Sequence, residues 1–371
     1  MNKIELTSFA DLAADKRKVK EVFFNQINSI INWEKIDQLI KRHYDKGNSA
    51  VGRPSYSGLL LFKITLLQTW YNLSDYEVED QVNDRISFSK FLGLSLEDNC
   101  PDHSVISRFR TEMTKRKVYD KLLKEINKQL VIHGILVKQG ILLDASVVDT
   151  LRKPKGKTEY EVVTDREEEE QEESQESQEE QEEQEEQEPR QENRSKLVKK
   201  EKSGVDKEAR WVKKRGRLHY GYKQHTATNE EGLVLALITT PANESDTKHV
   251  EDVLDKIDTE NYKSIKADKG YKSENNDKVV KEKKLRNHIL HKAKKNKKLT
   301  RREIEFNKLI SKTRYKVERT FGTIKKQFGG GIARYIGLEK MHTQHLMQAI
   351  AYNLYRSPGI IVSCCEKQTI K

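Results

Sequence analysis

The sequence is short of the residues that staple small domains or anchor a chain in a membrane. Three cysteines, Cys100, Cys364 and Cys365, among 371 residues make neither a disulfide framework nor a zinc cluster. The adjacent pair Cys364-Cys365 has no further cysteine or histidine beside it. The longest apolar stretch, Gly58 to Leu67, is broken by Lys63 and falls far short of the ~20 residues a membrane helix needs. The N-terminal Met-Asn-Lys-Ile-Glu-Leu lacks the charged-then-apolar layout of a secretion signal. These absences lead us to expect a soluble chain of a reducing cytoplasm with no membrane partner. Hydrophobic residues reach only 35 %, but much of the deficit lies in an acidic block and in lysine runs, so the remainder can still build cores.

Charge is present in excess and is unevenly spread. Lysine and arginine (70) outnumber aspartate and glutamate (59), for a formal charge of +11. Asp165 to Glu192 carries 16 acidic and 2 basic side chains, a net of −14. The other 343 residues therefore hold +25. A body that basic suits a polyanionic partner, because each cation set on a phosphate releases condensed counterions.

Residues 1–135 read as helical. Leu59, Leu60, Phe62, Leu66, Leu67 and Trp70 recur at helical spacing. Ser74-Asp75-Tyr76-Glu77 is a capping box, followed by a short helix through Val78, Val82, Ile86 and Phe88. Asn99-Cys100-Pro101-Asp102 reads as a turn that opens Ser104 to Arg110, and a helix over Val118–Ile132 closes at Gly134. Short helices joined by tight turns, one bearing Ser107, Arg108 and Arg110, suit a helix-turn-helix DNA reader. A dimerisation bundle with solvated arginines fits the same pattern. Beyond Gly134 the period changes. Ile141-Leu142-Leu143, Asp144 and Val147-Val148 read as a buried strand. Residues 152–205, with the Glu/Gln block, have too few apolar side chains to offset the entropy of ordering and read as a disordered insertion, with a solvated single helix of Glu and Gln as the alternative. Two strands joined near Asn229–Gly232 follow, then a helix over Asp246–Ile257, a strand at Ile265–Asp268, a helix over Glu274–Lys284 and a strand at Asn287–Leu290. A long basic helix runs from Thr300 to Phe328 and ends at Gly329-Gly330-Gly331, and a last helix spans about Lys340–Arg356. The order is that of an α/β, RNase H-like domain with a mixed five-stranded sheet, over 136–338, preceded by an all-α DNA-binding domain. Residues 339–371 form a C-terminal helix and tail.

Metal-assisted phosphodiester chemistry needs carboxylates on rigid elements, since hard magnesium ions take few protein oxygens and leave room for phosphate. Asp144 closes one apolar run, and Asp268 closes Ile265-Lys266-Ala267 ahead of Lys269-Gly270-Tyr271. Either aspartate alone could serve as a turn or helix cap. Asp149 is a rival to Asp144. Arg314, Glu318 and Lys325 fall on one helix face by their spacing of four and seven. That triplet reads either as an ion-pair ladder or as a metal ligand between phosphate-holding cations. His219 and His225 share a strand face and read as DNA-facing or structural rather than as zinc ligands. Lys292–Arg302 reads as a basic loop.

The motifs taken together resemble a DDE transposase of a bacterial insertion sequence, in the insertion sequence 5 family of the insertion sequence 4 superfamily. Gly52-Arg53-Pro54, Trp70 to Asp75 and Pro101 to Arg110 resemble that family's helical leader. Asp144 and the run Ala267 to Tyr271 stand where the first two catalytic aspartates are placed. Arg314, Glu318 and Lys325 match the signature Tyr-x2-Arg-x3-Glu-x6-Lys, with Ser311 in place of the tyrosine. The likeness runs from about Gly52 to Arg356, without the acidic insertion, which is a further departure. The resemblance implies that Asp144, Asp268 and Glu318 hold two Mg2+ ions, for which Mn2+ substitutes. It implies hydrolysis at the element's end to free a 3′-hydroxyl, and in-line attack of that hydroxyl on target DNA. Arg314 and Lys325 are expected to grip phosphates, with Lys269, Tyr271, His219, Lys223, Arg108 and Arg110 as further DNA contacts. The implied partners are the terminal inverted repeats, target DNA and further copies of the chain in a homodimer or larger synaptic complex at the nucleoid. The alternatives are an inactive, domesticated DNA-binding protein and an RNase H-like nuclease.

Overall fold

The computed structural model describes residues 22–44, 55–95, 97–155, 160–164, 195–199, 204–293 and 298–369. Among the described residues seven helices lead: α1 (Val22–Ile30), α2 (Trp33–Lys41), α3 (Gly58–Tyr71), α4 (Asp75–Asp84), α5 (Ile86–Leu92), α6 (His103–Lys115) and α7 (Val118–Ile132). The sequence GLLLFKITLLQTWY makes α3 apolar on nearly every side, so it lies at the centre of the helical group. Its Trp70 indole donates to the Ala351 carbonyl at 2.9 Å. The capping box at Ser74 forms as expected, with both reciprocal bonds made. The N-cap of α6 is Asp102, two residues ahead of the expected start, because its carboxylate accepts from the Val105 N–H. Gly134 adopts φ +66° and closes α7, with the Ile135 N–H returning to the Leu130 carbonyl.

Among the described residues nine strands follow: β1 (Gly140–Thr150), β2 (Tyr160–Thr164), β3 (Ser195–Lys199), β4 (Arg210–Lys214), β5 (Arg217–Thr228), β6 (Val234–Pro241), β7 (Ser264–Ala267), β8 (Arg286–Ile289) and β9 (Ile332–Ala333). Among them lie α8 (Val250–Asp255), α9 (Glu274–Glu282), α10 (Arg301–Gln327) and, last, α11 (Leu338–Thr369). The expected helix over Asp246–Ile257 is a 3-10 turn at Asp246–His249 followed by α8. The main sheet runs β4-β5-β1-β7-β8, with β6 also on β5 and β9 also on β1. β5 pairs antiparallel with β1, while β7 and β8 continue parallel. β4, a strand absent from the sequence reading, covers the first half of β5, and β6 covers the second.

The two faces of the sheet follow from the alternation of β1. Ile141 and Leu143 point into the large core shared with α7, α8 and α11. Leu142 points the other way and forms a small cluster with Val317 and Phe321 of α10. The leading helices belong to the same core as the sheet, with no break in packing near residue 135. Helix α10 is also tied to the β5–β6 hairpin: the Thr320 hydroxyl donates to the Gly232 carbonyl at 2.7 Å. A Cβ on Gly232 would meet the Thr320 Oγ1 at 2.9 Å, at a φ of +85°. Glycine is required there.

Arg152–Asp206 forms a compact unit of its own. Within it, Tyr160–Thr164 pairs antiparallel with Ser195–Lys199, which corrects the expectation of disorder for the ends of this insertion. The β-branched run Val162-Val163 and the Leu197-Val198 pair supply strand-forming residues. The acidic block between these strands lies outside the described residues.

Candidate active site

Asp144 and Asp268 come together by register. Leu143 of β1 is opposite Ala267 of β7 in a parallel pair, so the next residues on each strand are the two aspartates. Neighbouring strands lie about 4.8 Å apart. Because Leu142 faces α10, so does Asp144, two residues on. Burial pushes the Asp144 carboxyl above the usual range, against the pull of the Arg314 charge and the Ala145 N–H, while Asp268 adds to the rise. Its Oδ1 accepts from the Ala145 N–H at 2.9 Å. Asp268 caps the 3-10 turn Lys269–Tyr271, accepting from the Lys269 N–H at 2.7 Å.

Arg314 clasps both carboxylates. Its Nη2 lies 3.1 Å from Asp144 Oδ2 and its Nη1 3.3 Å from Asp268 Oδ1. Three turns further along α10, Lys325 donates from Nζ to the Val147 carbonyl at 2.9 Å, and burial holds its ammonium below the usual lysine range. Glu318 lies one turn beyond Arg314, exposed, with no hydrogen bond or ion pair to another described residue. The helix therefore lays Arg314 and Lys325 along β1. Two of the three expected acids meet, and the third stands free on the same helix. Among the described residues, no three His, Cys, Asp or Glu side chains gather closely enough to hold a metal ion.

Two family models match the chain: residues 135–354 match the Transposase DDE domain, and residues 12–112 the Transposase domain (DUF772). The chain belongs to the DDE transposase family. It is 32 % identical over 251 residues to a protein of Neisseria meningitidis serogroup B named as the transposase for insertion sequence element IS1106, a match covering 67 % of this chain and 76 % of that one. It is thus an insertion-sequence transposase, a DNA-acting enzyme of mixed α/β architecture.

DDE transposases use divalent metal ions, and the donors here suit one. Two carboxylates, hard oxygen donors, stand side by side on adjacent strands, and the pair already draws a cation, Arg314, between them. Asp149 does not join them. It lies five positions beyond Asp144 along β1, an odd offset that turns it to the opposite face, where both carboxylate oxygens lie 3.0 Å from His219 Nδ1.

The remaining expected DNA contacts of the transposase divide by exposure. Lys269 and Arg108 are exposed, with the Arg108 guanidinium resting on Ser104. Three others are drawn inward. Tyr271 is 1 % exposed. Lys223 Nζ pairs with Asp246 at 2.9 Å. Arg110 forms a two-pronged ion pair with Asp75, at 2.8 and 2.7 Å, and lies over the Tyr335 ring. In all three the side chain sits on the core-facing side of its element, which a local motif does not reveal. His225 is fully buried, and burial pushes its imidazole down to about 3, so it is structural. Sequence reasoning missed Asp246 and Asn276. Their only signal was the short polar spacing Ser273-x2-Asn276 beside the Asp268 turn.

Proposed function

We propose that this chain is an active transposase of the insertion sequence 5 family, with an RNase H-like catalytic core, that binds terminal inverted repeats and cuts and joins DNA at Asp144, Asp268 and Glu318. The observation that carries the reading is the pair of aspartates that directly follow the last paired residues of β1 and β7, clasped by one arginine. The strand order, an antiparallel β6-β5-β1 group extended by parallel β7 and β8, supports the fold assignment. Two divalent ions, Mg2+ or Mn2+, held by these acids would supply an activated water and neutralise the leaving oxygen.

The protein's own groups do the rest. Asp144 is held in place by its strand and by the Ala145 N–H. Asp268 is held by its turn. Arg314, released from the two carboxylates, reaches a phosphate beside the scissile bond, since its planar fork suits phosphate as well as carboxylate. Lys325, Lys269 and Arg108 add charge along the DNA path, and Glu318 turns toward the aspartates when DNA is seated. The freed 3′-hydroxyl then attacks target DNA in line at the same residues. A purified chain with Mg2+ should nick an inverted-repeat duplex at a fixed position and leave an RNA–DNA hybrid intact. Asp144→Asn should abolish nicking while DNA binding persists. An unchanged nicking rate would overturn the assignment.

A further inference from the structure

We propose that Asn276, Asp246 and Lys223 form a positioning layer behind the carboxylate pair, fixing the turn that presents Asp268. The inference rests on the reading of Asp144 and Asp268 as metal-holding acids. β7 ends at Ala267, so the residues after Asp268 have no strand partner, and the aim of its carboxylate follows the path of the turn Lys269–Tyr271.

Asn276 holds that turn. It is 2 % exposed, on the first turn of α9. Its Nδ2 donates to the Tyr271 carbonyl at 2.7 Å and to the Thr247 carbonyl at 3.0 Å. A single amide thus joins the turn after Asp268 to the 3-10 turn Asp246–His249. The second turn is itself anchored to the sheet. Asp246 pairs with Lys223 of β5, whose ammonium also donates to the Glu244 carbonyl. The two turns touch, since a Cβ on Gly270 would lie 3.8 Å from Asp246 Oδ2. Tyr271 closes the turn and is itself buried. Burial first, then the charges of Asp246 and Asp144, hold its hydroxyl well above the usual range, so it stays neutral and adds no charge. Support runs from β5 through Lys223 and Asp246 to Asn276, and through the Tyr271 carbonyl to Asp268. Residues that orient ligands in this way commonly change metal affinity 10–100-fold when removed.

The test is a titration of the full chain with Mn2+, following the free ion by electron paramagnetic resonance, with melting curves alongside. Asn276→Ala should weaken Mn2+ binding about 10–100-fold, and Asp246→Asn should weaken it by a smaller factor. Asn353→Ala is the control. It removes an equally buried amide, one that ties α11 to Val234 and Asn127, and should lower the melting temperature without moving Mn2+ affinity. The layer is refuted if Asn276→Ala and Asp246→Asn both keep wild-type affinity, or if Asn353→Ala loses as much as Asn276→Ala. If Asn276→Ala does not fold, Asp246→Asn decides by the same criterion. Asp268→Asn separates the two claims. Wild-type Mn2+ affinity in that variant defeats the metal reading, and this proposal with it. Lost affinity there, with none lost in Asn276→Ala and Asp246→Asn, defeats the positioning layer alone.

Discussion

Arg110→Ala should destabilise the fold and leave DNA binding nearly intact. The Arg110 and Asp75 side chains are 12 % and 24 % exposed, so removing the guanidinium leaves a carboxylate largely out of water with only Gln68 still bonded to it. Breaking one side of a buried pair costs about 3–5 kcal/mol, and the residual exposure places this case near 3 kcal/mol. For a chain of this size that corresponds to a fall in melting temperature of about 4–6 °C. The pH dependence carries a sign that can be checked. In the wild type, burial raises the Asp75 carboxyl, but hydrogen bonds from Arg110 and Gln68 and the Arg110 charge bring it below its ordinary value. A depressed carboxyl contributes stability above its unfolded value, near 3.9, and loses it as pH falls through the lower folded value. Without Arg110, burial prevails and the folded value rises, so the variant suffers a penalty that grows as pH climbs above about 4. The gap between the two proteins should be widest near neutrality and should narrow toward pH 4. Urea melts across that range measure it directly. A variant that melts with the wild type, yet binds DNA more weakly and with a shallower salt dependence, would show Arg110 to be a phosphate contact and the argument to be mistaken.

Glu318→Gln should stop nicking while shifting stability by less than about 0.5 kcal/mol, because the side chain is exposed and pairs with no described residue; a loss of several degrees in melting temperature would reveal a structural role instead. Gly221→Ala places a Cβ 2.0 Å from the Val148 carbonyl and should cost roughly 1–3 kcal/mol in a denaturant melt, a cost that an unperturbed midpoint would exclude. Deleting Asp165 to Glu192 raises the formal charge from +11 to +25 and should tighten binding to random-sequence DNA at low salt, with a steeper salt dependence. Equal affinities in a salt series would show that the acidic block does not compete with DNA.

The parts of the site that could be read from sequence were those governed by strand and helix period. Asp144 and Asp268 each close an apolar run, and parallel pairing of those runs is enough to bring them together. The spacing of Arg314 and Lys325 placed both on the sheet-facing side of α10. Contacts between distant segments could not be read. Nothing near Arg110 announces Asp75, and nothing near Lys223 announces Asp246, because the partners meet only through packing of elements 35 and 23 residues apart. β4 and β9 were overlooked for a local reason: one is a lysine- and arginine-rich edge segment, and the other is two residues long. The helices before residue 135 were anticipated as elements, but their shared core with the sheet rests on side chains such as Trp70, whose bond to Ala351 spans most of the chain.

One edge of β1 is forked. It pairs with β7 as far as Leu143 and with β9 only from Asp149, and Asp144 sits at the branch. Since side chains alternate strictly along a strand, a single-residue insertion within β7 would carry Asp268 to the far side of the sheet, whereas one at Gly331, past the last residue of α10, would displace only the upper prong. The pairing of Gly140–Leu143 with Ser264–Ala267 thus fixes the side of the sheet on which both acids emerge.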